Sequence, residues 1–294
     1  MKKLITLLLA VMMLLSLAAC GNDDQAADDK DAANTEDTTQ TAAPADADDG
    51  AVLKILETEY VVEEYAIAVA KDNEALLAQV NDALKAIAED GTLDAVINYY
   101  ISGEGELPVY QQDVAADAEV LTLGTSVDFP PYEFYEGETP VGIDIAIAGL
   151  IADQLGMKLE IVDMNFDAII PSIVSGKVDI GMAGMTVTDE RLETVSFSES
   201  YSTGVQVVIV PADSDITSLD DVFAKAESED GIQIGVQVGT TGYIYASDDF
   251  GEESVQAFAK YGDVIQALKT GKIDCVIMDQ APAENYVASV NANG

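Results

Sequence analysis

Val178-Asp179-Ile180-Gly181-Met182-Ala183-Gly184-Met185-Thr186-Val187-Thr188-Asp189-Glu190-Arg191 is the stretch on which the reading of this chain turns. Its first six residues read as a buried strand. Gly184 to Thr186 read as a turn, and Thr188 to Arg191 as a helix start behind a capping threonine. The stretch ends on the chain's single arginine; twelve lysines supply the other positive side chains, against 54 acids and no histidine. A guanidinium is a planar, permanently charged fork that grips a carboxylate or phosphate through two parallel hydrogen bonds, which a lysine ammonium does not. Arg191 is therefore a candidate anion ligand. A surface or capping arginine is the alternative on context alone.

Outward from this stretch, strands and helices alternate. Strands are expected at 120–125, 158–162 and 178–183, with helices at 143–155 and 167–175 between them. An extended apolar segment at 205–210 is followed by a second set. Its helices are expected at 219–228, from 241, at 263–270 and from 282, and its strands at 232–237, 255–259 and 273–279. Two such sets predict two mostly parallel sheets flanked by helices. Ligands in such sheets bind beyond the carboxyl ends of the strands, which here are 181–186, 236–241 and 278–280. Residues 51–101 differ: short strands at 53–56 and 65–70, then an amphipathic helix at 73–89 capped by Asn73, then a helix at 92–101. A Gly/Glu-rich stretch at 102–118 reads as a linker, in which 107–110 have the apolar character to pack.

The amino terminus is a targeting segment. Lys2 and Lys3 precede an apolar run at 4–17 that ends in Leu17-Ala18-Ala19-Cys20. This resembles a bacterial lipoprotein signal cleaved before Cys20, whose thiol and amine then carry lipid; an ordinary secretory signal is the alternative. Residues 21–50 hold ten acids, one lysine and eight alanines, and predict a disordered acidic tether that cannot bury enough surface to fold. The expected location is extracytoplasmic, attached to the cell membrane through lipid on Cys20 only.

Composition excludes several partners. Residues 51–294 carry 44 acids and ten bases, which opposes binding to nucleic acid or to anionic lipid. With Cys20 used for lipid, Cys275 has no disulfide partner and reads as a buried thiol in an apolar strand. No metal cluster or cofactor motif is present, and the spacing of Gly235, Gly239 and Gly242 does not make a nucleotide fingerprint.

Several ordered segments resemble one family. They are Gly124-Thr125-Ser126-Val127-Asp128-Phe129-Pro130-Pro131-Tyr132-Glu133-Phe134, Val141-Gly142-Ile143-Asp144 and Met164-Asn165-Phe166-Asp167-Ala168-Ile169-Ile170-Pro171. Ala183-Gly184-Met185-Thr186 through Arg191, Val236-Gln237-Val238-Gly239-Thr240-Thr241 and Met278-Asp279 continue the series. Together they resemble the polar amino-acid-binding extracytoplasmic proteins of ABC importers. The resemblance implies a two-lobed, periplasmic-binding-protein-like α/β fold. In that family the chain returns to its first lobe and ends there with a strand and two helices. Residues 51–101 have the look of that returning piece, placed first; with 119–294 they make 227 residues, about one domain of the family. A circular permutation is thus expected, with 51–101 and 119–207 as lobe 1, 102–118 as the joining linker, and 208–294 as lobe 2 and hinge return. Permutation is tolerated where termini meet at the surface. The rival is a tandem remnant packed elsewhere or swapped between chains.

A free amino acid presents a carboxylate, an ammonium and a side chain. Arg191 would grip the carboxylate with Thr186, while Thr240 and Thr241 hold it from a helix N-terminus in the other lobe. Asp279 would take the ammonium, helped by the Gly184 carbonyl; Met185 lies in the same turn. The resemblance assigns these positions the same roles, and helix capping is the alternative for Thr240, Thr241 and Asp279. Phe129 and Phe166 would sandwich the ligand side chain, with core packing as their alternative. Ser126 and Gln237 are polar candidates for its far end. Asp128 and Glu133 are placed to meet a cationic end, or are surface acids.

The function expected is capture of a polar or basic amino acid by a monomeric lipoprotein and delivery to the permease subunits of an ABC importer, with no catalysis. An enzyme on the same fold, of dehydratase or lyase type, and a ligand-sensing domain are the other classes.

Overall fold

The computed structural model describes residues 53–57, 59–111 and 114–292. The expected signal segment, Cys20 and the 21–50 tether lie outside the described residues. In chain order the elements are β1 (Leu53–Ile55), β2 (Val61–Ala70), α1 (Glu74–Glu89), α2 (Thr92–Ser102), β3 (Val120–Thr125), β4 (Phe134–Glu136), β5 (Thr139–Val141) and α3 (Ile143–Leu155). Then come β6 (Lys158–Asp163), α4 (Ile169–Val174), β7 (Ile180–Gly181), α5 (Asp189–Thr194), β8 (Val195–Pro211) and α6 (Leu219–Ala226). The chain closes with β9 (Ile234–Gln237), α7 (Thr241–Phe250), β10 (Val255–Phe258), α8 (Tyr261–Lys269), β11 (Cys275–Asp279) and α9 (Gln280–Ala292).

The large sheet runs β10-β9-β11-β8-β2-β7-β3-β6, with β1 also on β8. Its two ends are parallel: β6 and β7 flank β3, and β10 and β11 flank β9. The middle is antiparallel, because β8 and β2 run through both lobes and join them. Their pairing slips between Tyr65 and Ala68, where the strands pass from one lobe to the other. The expected strand at 205–210 is thus one end of a 17-residue strand. The expected strand at 178–183 shrinks to Ile180–Gly181, since the chain leaves the ladder to turn through Gly184.

Local sequence explains the elements. Asn73 caps α1 by accepting the Leu76 N–H at 3.2 Å, and Leu76, Val80, Ala83, Leu84 and Ile87 form its buried stripe. In β2, Glu63, Tyr65, Ile67 and Val69 share one face by the two-residue period of a strand, and all four are buried. β2 sits between β8 and β7, so a segment from the start of the chain forms the centre of the sheet.

One expected boundary changes. Residues 53–60 do not join lobe 1. β1 pairs with β8 at 209–211, the Leu56 N–H bonds the Val208 carbonyl at 2.9 Å, and Leu56 packs with Val208, Val210, Ile216 and Ile234. The pattern of β1 was read correctly, but its side of the hinge is set by strand pairing. The 102–118 segment joins α2 to β3, and Leu107 and Tyr110 pack against the core. Gln111 bonds both carboxylate oxygens of Asp153, the Met157 carbonyl and the Leu159 N–H. Tyr110 packs against Gly149 of α3, where a β-carbon would come within 2.3 Å of its ring. Among the described residues no helix is long and apolar enough to cross a membrane.

Candidate ligand-binding cleft

Ser126, Phe129, Glu133, Phe166, Ala183, Gly184, Thr186, Arg191, Gln237, Thr240, Thr241, Tyr261 and Asp279 line one enclosed space between the lobes. Ten of the eleven positions expected from sequence are there. Met185 is not: its side chain is fully buried with Phe166, Ile169, Val178 and Val195, and its carbonyl accepts the Ala66 N–H at 3.1 Å. One residue of the turn must point away from the cleft to anchor the turn to β2. A wider open groove of about 630 Å³ lies outside lobe 1, but no lysine or arginine lines it. The enclosed space, about 10 Å³, brings together Arg191, Glu133 and Asp279.

Arg191 reaches it from α5, whose cap is the Thr188 hydroxyl accepting the Arg191 N–H at 3.1 Å. Its guanidinium donates to the Thr186 carbonyl at 2.7 Å and, across the cleft, to the Gly239 carbonyl at 3.0 Å. It lies 5.3 Å from the centre of the Phe166 ring. Among the described residues no carboxylate comes within 4.0 Å of it. Burial lowers its pKa, and the charges of Glu63 and Asp279 oppose that. Its hydrogen bonds to Thr186 and Gly239 go to carbonyls and not to a carboxylate, a costly arrangement for a buried guanidinium that an incoming carboxylate would relieve.

The turn that carries Thr186 is fixed from two directions. Asp144 accepts the Gly184 N–H at 2.9 Å and the Tyr201 hydroxyl at 2.8 Å. Gly184 has φ +53°, and a β-carbon there would meet the Phe129 ring at 2.5 Å, so only glycine permits the approach. The Thr186 hydroxyl donates to Glu63 at 3.1 Å. On the opposite wall Thr240 caps α7, accepting the Tyr243 N–H at 3.3 Å and donating to the Gln237 carbonyl at 2.8 Å. Its hydroxyl is therefore occupied as the capping alternative supposed, and what α7 presents to the cleft is its N-terminus at Thr240 and Thr241. Gln237 donates to the Ala259 carbonyl at 3.0 Å.

Asp279 accepts from the Tyr65 hydroxyl of the hinge strand. Burial and then the charge of Glu63 push its carboxyl up to about 7, against the bonds from Tyr65 and Gln206. Asp279 also immediately precedes α9, the position of the capping alternative. Phe129 does not face Phe166 in a ring pair; it lies against Tyr132 and Tyr261 at 5.7 Å. Asp128, considered for a cationic ligand end, meets Lys260 of its own chain instead.

Sequence reading missed or undervalued three residues. Glu133 is fully buried on the cavity wall, and both its carboxylate oxygens lack a donor. Burial, then the nearby Asp144, drives its pKa well above the usual carboxylate range; the two share a hydrogen bond only when one is protonated. Asp144 is itself raised to about 6 by burial. Glu63 was legible from the strand period, since it shares the buried face of Tyr65. Tyr261, contributed by the start of α8, carries no local signal.

The fold and cleft define a two-lobed α/β protein of the periplasmic-binding type, hinged on two through-running strands. The chain belongs to the bacterial extracellular solute-binding proteins, family 3, whose model matches residues 121–260. It is 32% identical over 176 residues to the arginine-binding extracellular protein ArtP of Bacillus subtilis, covering 58% of this chain and 64% of that one. It is also 32% identical over 174 residues to the ABC transporter arginine-binding protein 1 of Escherichia coli, covering 59% and 68%. Among solved structures, the arginine-bound form of truncated ArgBP from T. maritima is 40% identical, with TM-score 0.53, over 58% of this chain and 78% of that one. The chain thus spans somewhat under two thirds of the length of ArtP.

Proposed function

We propose that this protein captures a free cationic amino acid, arginine foremost, between its lobes and delivers it to an ABC importer. The observation that carries this is Arg191: a buried guanidinium, touched from both lobes, with no carboxylate of its own among the described residues. An α-carboxylate fits that vacancy of charge through two parallel bonds, with the α7 N-terminus beside it. Asp279 receives the ammonium. Glu133, buried and without donors, supports a cationic side chain at the other end, beside the acceptor Ser126. The arginine-binding relatives support the same class. The cavity is smaller than an amino acid, so the lobes part about β2 and β8 to admit it, and closure is coupled to binding.

Three finer readings belong to this proposal. The segment order is a circular permutation: Asn291 in α9 bonds both the N–H and the carbonyl of Leu53, each at 3.0 Å, and β2 takes the central sheet position. Matches to solved structures limited to 57–60% of the chain are also what such an order leaves to alignment in chain order. Lipid on Cys20 holds the protein outside the membrane as a monomer. It does no catalysis, because the polar groups of the cleft are committed to gripping.

A thermal-shift screen of the purified protein against the common amino acids tests the function. A cationic amino acid at 100 times its dissociation constant should stabilise by about 2.7 kcal/mol. A response to acidic or apolar amino acids alone, or turnover of any of them, overturns the proposal.

A further inference from the structure

The lobes meet at a second place, far from the hinge. β6 is the outer strand of the sheet on the lobe 1 side and β10 the outer strand on the lobe 2 side, so a contact between their ends lies at the sheet's two edges, away from the hinge strands β2 and β8. Lys260, just past β10, places its ammonium 3.7 Å from Asp163 at the end of β6 and 3.8 Å from Asp128. It also donates to the Ser126 hydroxyl at 3.1 Å and the Met164 carbonyl at 3.4 Å. All four acceptors belong to lobe 1, whereas Lys260 belongs to lobe 2. The other ion pairs among the described residues, Lys85 with Glu89 and Lys225 with Asp274, stay within a lobe.

The acidic half of this contact is built into lobe 1. Asp163 accepts the Val127 N–H at 3.0 Å and the Tyr135 hydroxyl at 3.3 Å. Asp128 is met from lobe 2 twice more, by the Tyr261 N–H at 2.8 Å and, at its carbonyl, by the Tyr286 hydroxyl at 2.7 Å. In so acidic a chain, bringing two acidic edges together is repulsive, and Lys260 is the cation between them. The same ammonium fixes Ser126. That hydroxyl accepts from Lys260 and spends its only hydrogen on Asp128 at 3.2 Å, so toward the cavity it is an acceptor alone.

We propose that Lys260 is a positioning residue that latches the lobes together at these edges and, through the same contact, sets Ser126 as an acceptor for an N–H of the ligand. This rests on the reading of the cleft as the binding site. Its ion pairs are part-exposed, so the latch weakens with salt.

The test measures the distance between spin labels on the full chain carrying Cys20→Ser, with cysteines introduced at Val174 in lobe 1 and Asp220 in lobe 2; Cys275 is buried and does not label. Without added amino acid, Lys260→Met and, separately, high salt should shift the distribution to longer distances, while Lys260→Arg keeps the short one. Asp163→Asn, on the other lobe, should reproduce the shift, and covers the case in which Lys260→Met does not fold. With L-arginine as probe, dissociation from Lys260→Met should be about fivefold faster with association little changed. Identical distributions for wild type, Lys260→Met and Asp163→Asn overturn the latch. A wild type that closes as described but binds no cationic amino acid overturns the ligand assignment and leaves the latch standing.

Discussion

Arg191 and Gly239 lie on opposite lobes, and the guanidinium of one donates to the carbonyl of the other at 3.0 Å. Arg191 thus ties the lobes together. On the proposed reading, a ligand carboxylate at Arg191 would add its charge to a contact that already crosses the cleft, so that binding and closure would act on the same atoms.

Arg191→Lys separates fork geometry from charge. A lysine ammonium cannot serve Thr186, Gly239 and a bidentate carboxylate together. Affinity for L-arginine by calorimetry should fall at least about tenfold, a loss of about 1.4 kcal/mol. Unchanged affinity would remove Arg191 from the site.

Glu133→Gln tests the cationic end. The substitution keeps the shape and removes the ionisable group, so affinity for L-arginine should fall by about tenfold or more. Affinity for L-glutamine should change far less. Equal losses for both ligands would mean that Glu133 supports the wall without reading the ligand.

The raised carboxyls give a pH dependence of defined sign. Asp279 titrates at about 7 and Asp144 at about 6 in the folded protein, against about 4 for an ordinary carboxyl. The folded state thus holds more protons than the unfolded chain between pH 4 and 7. Without ligand, stability is greatest at the acid end and declines as pH rises through that window, by up to about 1.4 kcal/mol per unit for each group. Ligand binding runs the other way, because an ammonium needs Asp279 ionised. The thermal shift given by L-arginine should therefore grow from pH 5 to pH 8, and binding near pH 6 should release protons. A shift that is flat across this range would take Asp279 out of ammonium binding.

Asn291→Ala removes two bonds that join α9 to β1. The expected loss in chemical denaturation is about 1–2 kcal/mol, with affinity for L-arginine unchanged because the contact is remote from the cleft. Denaturation indistinguishable from wild type would show that this joint is not needed to hold the two segments together.

The alternation of strands and helices after residue 119, the stripe of α1 and the cap at Asn73 were legible because each depends on neighbours in sequence. The cluster of cleft residues was legible only through the ordered motifs of the resemblance, since on context alone Arg191 was equally a surface or capping residue. Tertiary structure alone decided three things. The side of the hinge on which β1 lies is a matter of pairing with Val210, a choice that strand period cannot express. Whether Met185 or Thr186 faces the ligand depends on how the turn docks on β2. Glu133, an unremarkable acid in a motif, became a buried group without donors only when α3 brought Asp144 beside it. Local pattern specifies elements because its interactions span a few residues. Burial and charge at the cleft are sums over segments far apart in the chain, and they exist only once the lobes have met.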